Sequence, residues 1–494
     1  MFYKSTRPSD EKLTASEAIL KGIADNGGLF VSESFNKVDL NWDIIKNGSY
    51  EDVAFEVMKH YLSDFDSSTL KKCIHNAYSK SFKDHTPINV KKIGDSYFLE
   101  LFHGPTAAFK DMALTILPHL LKSALDKHGV KEKALILTAT SGDTGSAALY
   151  GFQNVEGVEI GVFYPQNGVS DIQKRQMIAV SAPNTYVCAI DGNFDQAQSE
   201  VKRLFEDKEF KSELANENRF LSSANSINIG RLVPQIVYYI YSYAELVRAN
   251  EISWGDPINV SVPTGNFGNI LAAYYAKLSG LPIKRLICAS NSNNVLYDFF
   301  KTGHYDQNRP FYKTSSPSMD ILLSSNLERL LYELLDGDRD VLADLMSALK
   351  SEKSYTLPQK SFERLCDFYG GFANDDMTSK EIKRVYEKYN YLIDPHTAVA
   401  SKVYTDYVKE TNDDTKTLIV STASPYKFTP VVYSALFGES DLNAFDLLKN
   451  LESKTGSSIP WSLKNISDLK PHHNASSSIE HMSSGLKAFI KEEI

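Results

Sequence analysis

After about residue 95, short apolar runs alternate along the chain with longer runs of helical spacing. The clearest strand candidates are residues 134–138, 160–164, 186–190, 258–262, 285–289 and 417–421. Between them lie helical segments such as 195–215, 230–248 and 270–278. Such alternation is typical of parallel sheets covered by helices, because parallel strands need long crossover connections. We therefore expect an α/β protein built on open parallel sheets.

The strand and helix candidates divide the chain into three regions. Residues 1–95 show mostly helical spacing, and we expect a mainly helical N-terminal region there. We predict a smaller α/β domain over 96–235 and a larger α/β domain with a C-terminal extension over 236–494. A length of 494 residues is compatible with this division.

Composition argues against several classes of function. A net charge of −9 without a long basic run disfavours a nucleic-acid backbone or an anionic membrane as the main partner. No stretch approaches the length of a membrane span, and no apolar signal core follows the first residues. The sequence predicts no metal site and no disulfide framework, because no C-x-x-C pair occurs among Cys73, Cys188, Cys288 and Cys366. We expect reduced thiols in a cytoplasmic protein.

One lysine stands out in the segment at 103–113. Lys110 lies where a Gly-Pro turn gives way to a helical run that begins at Met112. At a helix start, the unpaired N–H groups and the helix dipole favour the neutral amine over the ammonium ion. A neutral amine can form a Schiff base with a carbonyl compound. The alternative is a solvated lysine paired with Asp111, which is the usual situation of a lysine.

A first loop that can hold an anion joins a predicted strand to a strongly apolar helix. It consists of Gly265, Asn266, Phe267, Gly268 and Asn269. Glycines and asparagines at a helix start can turn several backbone N–H groups toward one phosphate. The alternative is a plain turn with a Gly/Asn cap. The loop lacks the first glycine of the dinucleotide pattern G-x-G-x-x-G, and no Gly-Lys-Ser/Thr of a Walker loop follows.

A second loop of the same design, residues 139–146, contains Ser141, Asp143 and Thr144. Its small hydroxyl and glycine residues would let a ligand carboxylate approach the main chain, although such clusters are also common in turns. A third strand ends at Ser421 and Thr422, at the sheet edge where ligands of open α/β sheets bind.

Together these features predict a site for pyridoxal 5'-phosphate. This cofactor needs an amine for its aldehyde, N–H groups for its phosphate and a partner for its ring nitrogen. A bound amino acid also needs a group that binds its own carboxylate. The lysine, the two loops and the late hydroxyl supply these groups.

The order of the motifs resembles the threonine synthase family, which belongs to the pyridoxal-phosphate fold of the tryptophan synthase β subunit. The resemblance runs through most of the chain and rests on residues 3–7, 25–30, 103–113, 141–148, 226–228 with Arg231, 265–269, 394–398 and 421–423. It implies two open parallel-sheet α/β domains of the tryptophan synthase β type.

The resemblance also implies roles for individual residues. Lys110 carries the cofactor, Thr422 stands at its pyridine nitrogen, and its phosphate is held by Gly265, Asn266, Phe267, Gly268 and Asn269. The residues expected near the substrate are Ser141, Asp143, Thr144, Asn228 and Arg231. Arg175 and His103 are alternatives to Arg231 as the group that binds the substrate phosphate.

Three positions depart from the expected patterns, two of them from the family motif and one from the helical run after the lysine. Ser424 stands where the family usually has histidine, and Tyr426 stands where it usually has alanine. Pro118 interrupts the helical run after the lysine and should bend or break it.

The family reaction converts O-phospho-L-homoserine and water to L-threonine and inorganic phosphate, the last step of threonine biosynthesis. The resemblance implies that Lys110 acts as a base and that the site holds two phosphates and one carboxylate. We expect a carbon–oxygen lyase acting on phosphates that binds a small-molecule substrate, as a monomer or homodimer, and closes its smaller domain over that substrate.

Three alternatives stay open at this stage. A hydroxy-amino-acid dehydratase or phospho-lyase of the same fold is the nearest. A non-catalytic regulatory descendant is disfavoured by the intact Lys110. A nicotinamide-dependent dehydrogenase is disfavoured by the missing glycine pattern.

Overall fold

A computed structural model describes residues 1–33, 38–83 and 87–491. Its strands are β1 (Tyr3–Ser5), β2 (Lys12–Leu13), β3 (Phe30–Ser32), β4 (Asn89–Ile93), β5 (Ser96–Glu100), β6 (Lys133–Ala139), β7 (Val158–Pro165), β8 (Thr185–Asp191), β9 (Arg219–Ser222), β10 (Ile258–Pro263), β11 (Ile283–Ser290), β12 (His304–Asp306), β13 (Ser354–Thr356), β14 (Phe368–Phe372), β15 (Thr417–Ser421) and β16 (Ala475–Ser478).

The α-helices of the described ranges are α1 (Ala15–Lys21), α2 (Trp42–Asn47), α3 (Tyr50–Tyr61), α4 (Ser67–Ser81), α5 (Asp111–Leu114), α6 (Leu117–His128), α7 (Asp143–Phe152), α8 (Asp171–Ile178), α9 (Phe194–Glu206), α10 (Lys208–Asn216), α11 (Ile229–Arg248), α12 (Gly268–Leu278), α13 (Val295–Thr302), α14 (Leu327–Leu334), α15 (Arg339–Ser351), α16 (Gln359–Glu363), α17 (Asp375–Tyr389), α18 (Pro395–Thr411), α19 (Thr429–Phe437), α20 (Ala444–Thr455) and α21 (Met482–Lys491).

Two parallel sheets organise the described part of the chain. One has five strands in the order β16-β8-β7-β6-β9, and all of its pairs are parallel. The other has six strands in the order β14-β11-β10-β15-β5-β4, parallel except for the edge pair β4–β5. Every residue of β7 and β10 is buried, as expected for parallel strands that are covered on both faces. The predicted α/β class with two open parallel sheets is confirmed.

The two sheets are interleaved along the chain. β5 belongs to the six-stranded sheet although it precedes all strands of the five-stranded one, and β16 returns to the five-stranded sheet near the C-terminus. The segment that bears the lysine therefore leaves from the six-stranded sheet. The domain bounds at 95 and 235 stay predictions, and sheet membership does not follow them.

The N-terminal region combines four helices with a small sheet. Helices α1 to α4 agree with the helical spacing, but β2-β1-β3 form an antiparallel sheet that this spacing did not predict. These strands are only two or three residues long, too short for alternation to show. After β1, Thr6 Oγ1 donates to Glu328 at 2.6 Å and Arg7 Nη2 lies 2.9 Å from the same carboxylate. The N-terminal region is thereby attached to α14.

Two predicted helical runs are each divided in two. Pro118 ends the run after the lysine as predicted, because α5 stops at Leu114 and α6 begins with this proline in its first turn. The run predicted over 195–215 contains Asp207, whose carboxylate accepts hydrogen bonds from Glu209 and Phe210 N–H at 2.9 and 3.0 Å. This cap starts α10 as a separate helix.

Helix α11 lies in the core and carries Arg231, one of the residues predicted to contact the substrate. Nearly all of its residues are buried, including Arg231, and it packs against α3, α5 and α12. Among the described residues, no helix has the length and apolar character needed to cross a membrane.

Candidate active site

A cavity of about 200 Å³ is lined by loops at the strand ends of both sheets. The predicted residues that it brings together are Lys110, Ser141, Thr144, Arg231, Gly265, Asn266, Phe267, Gly268, Asn269 and Thr422. Asp143 and Asn228 do not line it, and neither do the alternative phosphate-binding candidates Arg175 and His103. The cavity therefore collects the amine, both loops and the late hydroxyl.

The main chain fixes Lys110 against the end of β15. Phe109 N–H donates to the carbonyl of Thr422 at 2.7 Å, and Ala108 and Ala423 form an antiparallel bridge. Ala107, which precedes this pairing, has a left-handed φ of 55°. Lys110 occupies the N-cap position of α5, as expected from the sequence.

Burial is the main cause of the lowered pKa of Lys110. Its side chain is 11% exposed, and burial lowers its pKa to about 8. The carboxylate of Asp143 opposes this shift, whereas the cations of Arg231 and Lys427 add to it. Helix α5 has only four residues and so carries little dipole. The sequence predicted that the helix dipole would favour the neutral amine, but in the structure burial has this effect.

Asp111 is not the partner of the lysine. Its carboxylate accepts hydrogen bonds from the N–H and hydroxyl of Thr106 at 2.8 and 2.5 Å, and burial raises its pKa to about 6. A Cβ at Gly104 would lie 2.5 Å from Asp111 Oδ2, so the turn closes on this carboxylate only with glycine. The alternative of a solvated Lys110–Asp111 pair is wrong.

The loop at 265–269 presents backbone donors to the cavity. Within the described ranges, none of its N–H groups donates a hydrogen bond. Its carbonyls are fixed from outside, since Asn266 O accepts from Asn326 N–H at 3.1 Å and Gly265 O accepts from Ser324 Oγ at 2.7 Å. Phe267 has a left-handed φ of 64°, and α12 starts at Gly268. Free donors at a helix start can bind an anion such as phosphate.

Asn269 adds a side-chain donor to the same loop. Its Oδ1 accepts hydrogen bonds from the hydroxyls of Tyr238 and Tyr239 at 2.6 and 2.5 Å. Its Nδ2 is buried and has no partner among the described residues. A buried amide donor without an acceptor is unfavourable by about 1–3 kcal/mol. A bound phosphate would supply the missing acceptor, so the loop fits the cofactor phosphate.

The second loop satisfies part of its own main chain. Thr140 Oγ1 accepts from the N–H groups of Gly142 and Gly145, both at 2.9 Å. The hydroxyl of Ser146 donates to Gly142 O at 2.9 Å. The hydroxyls of Ser141 and Thr144 line the cavity and make no hydrogen bond within the described ranges. The N–H groups of Ser141, Asp143 and Thr144 also donate no hydrogen bond within the described ranges, so they and the two hydroxyls remain free for a ligand carboxylate.

Asp143 lies behind the cavity and is saturated by protein groups. Its Oδ1 is 2.7 Å from Lys427 Nζ and accepts from Gln173 Nε2 at 2.9 Å. Its Oδ2 accepts from Ser318 Oγ at 3.1 Å and lies 4.0 Å from Lys110 Nζ. Burial alone would raise the pKa of Asp143, but the cations around it hold this pKa well below its usual range.

Arg231 is the only one of the three predicted candidates for the substrate phosphate that lines the cavity. It is buried, its Nη1 donates to Ala224 O at 2.9 Å, and its Nε has no partner within the described residues. Burial lowers its pKa to about 10, so it stays charged at neutral pH. Arg175 instead donates to Ser467 O at 2.9 Å, and His103 lies 3.0 Å from Glu100.

Asn228 caps α11 and has no free polar atom for a ligand. Its amide donates to the carbonyls of Ile19 and Ser223, both at 3.0 Å, and accepts from Gly230 N–H at 2.9 Å. The structure therefore gives Asn228 the role of a buried helix cap, and its contact with the substrate stays a prediction.

The late hydroxyl and a histidine complete the cavity. The hydroxyl of Thr422 lines it and has no hydrogen-bond partner in the described part of the chain. His396 also lines it, with Nδ1 2.8 Å from Asp394 and Nε2 accepting from Ser318 N–H at 3.2 Å. The motif at 394–398 contributes to the family resemblance, but its histidine had no predicted role. Ser424 lies outside the lining and caps a 3-10 turn through Tyr426 N–H at 3.3 Å.

Three family models match successive parts of the chain. The model described as Threonine synthase N terminus matches residues 2–78. The model described as Pyridoxal-phosphate dependent enzyme matches residues 86–423, which is more than half of the chain. The model described as Threonine synthase, C-terminal matches residues 397–466.

Individual relatives agree with these matches. Threonine synthase-like 1 from Pongo abelii is 40% identical over 447 residues, which are 87% of this chain and 59% of the relative, so the chain spans about 59% of that relative's length. Threonine synthase from Schizosaccharomyces pombe is 38% identical over 89% of this chain and 90% of its own. The crystal structure of PLP-bound threonine synthase from Brucella melitensis is 32% identical with a TM-score of 0.87 and covers 99% of both chains. The chain thus belongs to the threonine synthase family of pyridoxal-phosphate-dependent enzymes.

Proposed function

We propose that this protein uses pyridoxal 5'-phosphate to convert O-phospho-L-homoserine and water to L-threonine and inorganic phosphate. In this reaction the bond between Cγ and the phosphate oxygen breaks, and the oxygen of water becomes bonded to Cβ. One observation supports it most: the cavity combines a buried lysine with two separate groups for anions, the loop at 265–269 and Arg231, whose Nε has no partner among the described residues. A dehydratase acting on threonine or serine needs only the first of these groups.

The residues present fit the cofactor. When bound, pyridoxal phosphate joins the substrate amino group and stabilises negative charge on the neighbouring carbon atoms. The N–H groups of residues 265–269 and Asn269 Nδ2 would hold its phosphate. The Thr422 hydroxyl would contact its ring nitrogen, and a hydroxyl in place of a carboxylate leaves that nitrogen largely unprotonated.

The remaining groups would act on the substrate. Lys110, with a pKa of about 8, is partly neutral near neutral pH and would accept the proton from Cα. Ser141 and Thr144 would bind the substrate carboxylate. Arg231 would bind the substrate phosphate and stabilise the negative charge that develops as this group leaves.

We also propose that the substrate is a small molecule met in the cytoplasm, by a monomer or a homodimer. We propose as well that the unit bearing Ser141–Ser146 closes over the substrate, which would exclude water from the carbanionic stages. Solution scattering should detect this closure on adding a phosphohomoserine analogue, and an unchanged profile would contradict it.

The test is a product assay on the purified protein with pyridoxal phosphate and O-phospho-L-homoserine. We expect phosphate and threonine in equal amounts. In the control variant Lys110→Ala, kcat/KM should fall by about 10⁴-fold, since the base is lost. Phosphate without threonine would indicate a phospho-lyase, and turnover of threonine or serine alone would indicate a dehydratase. Either result would overturn the proposal.

A further inference from the structure

A second lysine lies beside the site without lining it. Lys427 is fully buried in the 3-10 turn Pro425–Phe428 that follows β15. Its Nζ lies 2.7 Å from Asp143 Oδ1 and has no further hydrogen-bond partner within the described residues. A buried cation is strongly unfavourable unless its surroundings compensate for the lost hydration. The chemistry proposed above gives this lysine no role.

The carboxylate between the two lysines lies closer to Lys427 than to Lys110. Asp143 is 2.7 Å from Lys427 but 4.0 Å from Lys110. Gln173 and Ser318 fix both of its oxygens in this position. A Cβ at residue 142 would lie 2.4 Å from the Gln173 side chain, and this glycine has a φ of 125°. The loop is therefore shaped to hold the carboxylate toward Lys427.

The charges that face Lys110 come from four elements. Asp143 begins α7, Arg231 lies on α11, and Lys427 follows β15. Asp111 begins α5 and is hydrogen-bonded to Thr106. A fifth group, His396 on α18, faces Asp143. Asp143 is the only one of these groups with a carboxylate oxygen within 4.0 Å of Lys110 Nζ. Without Lys427, the nearest amine to this carboxylate would be Lys110.

We propose that Lys427 is a positioning residue that holds Asp143 in an internal ion pair and so keeps Lys110 available as a neutral amine. This inference rests on the proposed role of Lys110 as the amine that receives the cofactor. The neutral amine adds to the aldehyde carbon of pyridoxal phosphate, a C=N bond forms, and the aldehyde oxygen leaves as water with both amine hydrogens. The ammonium form has no electron pair for this addition.

The experiment measures how fast the cofactor-free protein takes up saturating pyridoxal phosphate across a pH series. Borohydride reduces the C=N bond, and mass spectrometry quantifies the peptide that contains Lys110. In the unaltered protein the rate should rise with pH and level off above about 8. In Lys427→Met the midpoint should move up by about 1 to 3 pH units, because Asp143 then acts on Lys110 alone. In Asp143→Asn it should move down.

Two further variants separate charge from shape. The double variant Lys427→Met/Asp143→Asn should return the midpoint toward that of the unaltered protein, and Lys427→Arg should keep it. A purely structural role would lower the rate at every pH and leave the midpoint in place, which would overturn the proposal. Unchanged midpoints in both single variants would do the same. If Lys427→Met does not fold, the isosteric Asp143→Asn decides alone, because an unmoved midpoint there contradicts the proposal.

This readout does not use the substrate. Failure of the phosphohomoserine assay would leave these midpoints as expected, whereas failure of the midpoints would leave the product assay unaffected. The two proposals can therefore fail separately.

Discussion

Two strand–loop–helix units of similar composition face the same cavity, but the N–H groups at the start of their helices have different partners. Between β10 and α12, no N–H group of residues 265–269 is used inside the described protein. Between β6 and α7, Thr140 accepts two N–H groups, and Asp143 brings a carboxylate to the first position of the helix. The first unit leaves all of these N–H groups open to an external anion, whereas the second uses two of its N–H groups internally and carries a carboxylate of its own. A small-residue loop at a helix start therefore does not by itself predict which anion it holds.

The largest change in cofactor binding should come from Asn269→Asp in the first loop. The carboxylate still accepts from Tyr238 and Tyr239, but the buried donor becomes a negatively charged oxygen. We expect the Kd for pyridoxal phosphate to rise about 100-fold, since a hydrogen bond to a charged group contributes about 1.5–3 kcal/mol and repulsion adds to its loss. Absorbance titration in the Lys110→Ala background measures the non-covalent Kd. An unchanged Kd would mean that this loop does not hold the phosphate.

A smaller effect is expected from Gly265→Ala. The new Cβ would lie 2.8 Å from the carbonyl oxygen of Ser318 and displace the loop. We expect the Kd to rise about tenfold, because overpacking is unfavourable by about 1–3 kcal/mol. Gly268→Ala is the matched control, since its Cβ would meet nothing nearer than 3.5 Å. Equal effects of the two variants would contradict the loop geometry.

In the second loop, Thr144→Val should affect the substrate and spare the cofactor. The change keeps the shape and removes a cavity hydroxyl that has no protein partner among the described residues. We expect KM for O-phospho-L-homoserine to rise about tenfold, the effect of one lost hydrogen bond to a carboxylate. Steady-state kinetics and the cofactor titration should be made on the same preparation. A rise in the cofactor Kd with unchanged KM would reverse the roles of the two loops.

The smallest effect on ligands is expected from Thr140→Val. This variant leaves the N–H groups of Gly142 and Gly145 without their acceptor. We expect the free energy of unfolding to fall by about 1–3 kcal/mol, measured by urea denaturation, with the cofactor Kd unchanged. A weaker cofactor complex with full stability would show that this loop, too, holds the cofactor phosphate.

Continuous apolar runs made the central strands predictable. β6, β7, β8, β10, β11 and β15 each extend no more than two residues beyond their predicted ends. β14 was missed because its middle is Gly370-Gly371, and a Cβ at Gly371 would lie 2.4 Å from Val403 on α18. Glycine is needed there for close packing, and it also removes the apolar signal. β16 was missed because Ala-Ser-Ser-Ser has no strand pattern and pairs only with the edge of β8.

Site residues were predictable where they end a strand or start a helix. Lys110, Thr422 and the loop at 265–269 lie together at the cavity, because strand ends in parallel sheets meet at one edge. Asn228 was placed by resemblance alone, and its contacts are those of a helix cap. His396 received no role, since its position relative to Ser318 depends on packing between distant segments.

The amino-acid sequence by itself determined the order of strands and helices, the small residues that expose main-chain N–H groups, and the presence of an amine near them. These properties depend on neighbours along the chain. Only the tertiary structure decided that Lys110 is buried, that Asp143 faces Lys427, and that Arg231 has no counter-ion among the described residues. The reason is physical: hydration and Coulomb interactions depend on distances in space, and residues far apart in the chain determine the charge of this lysine.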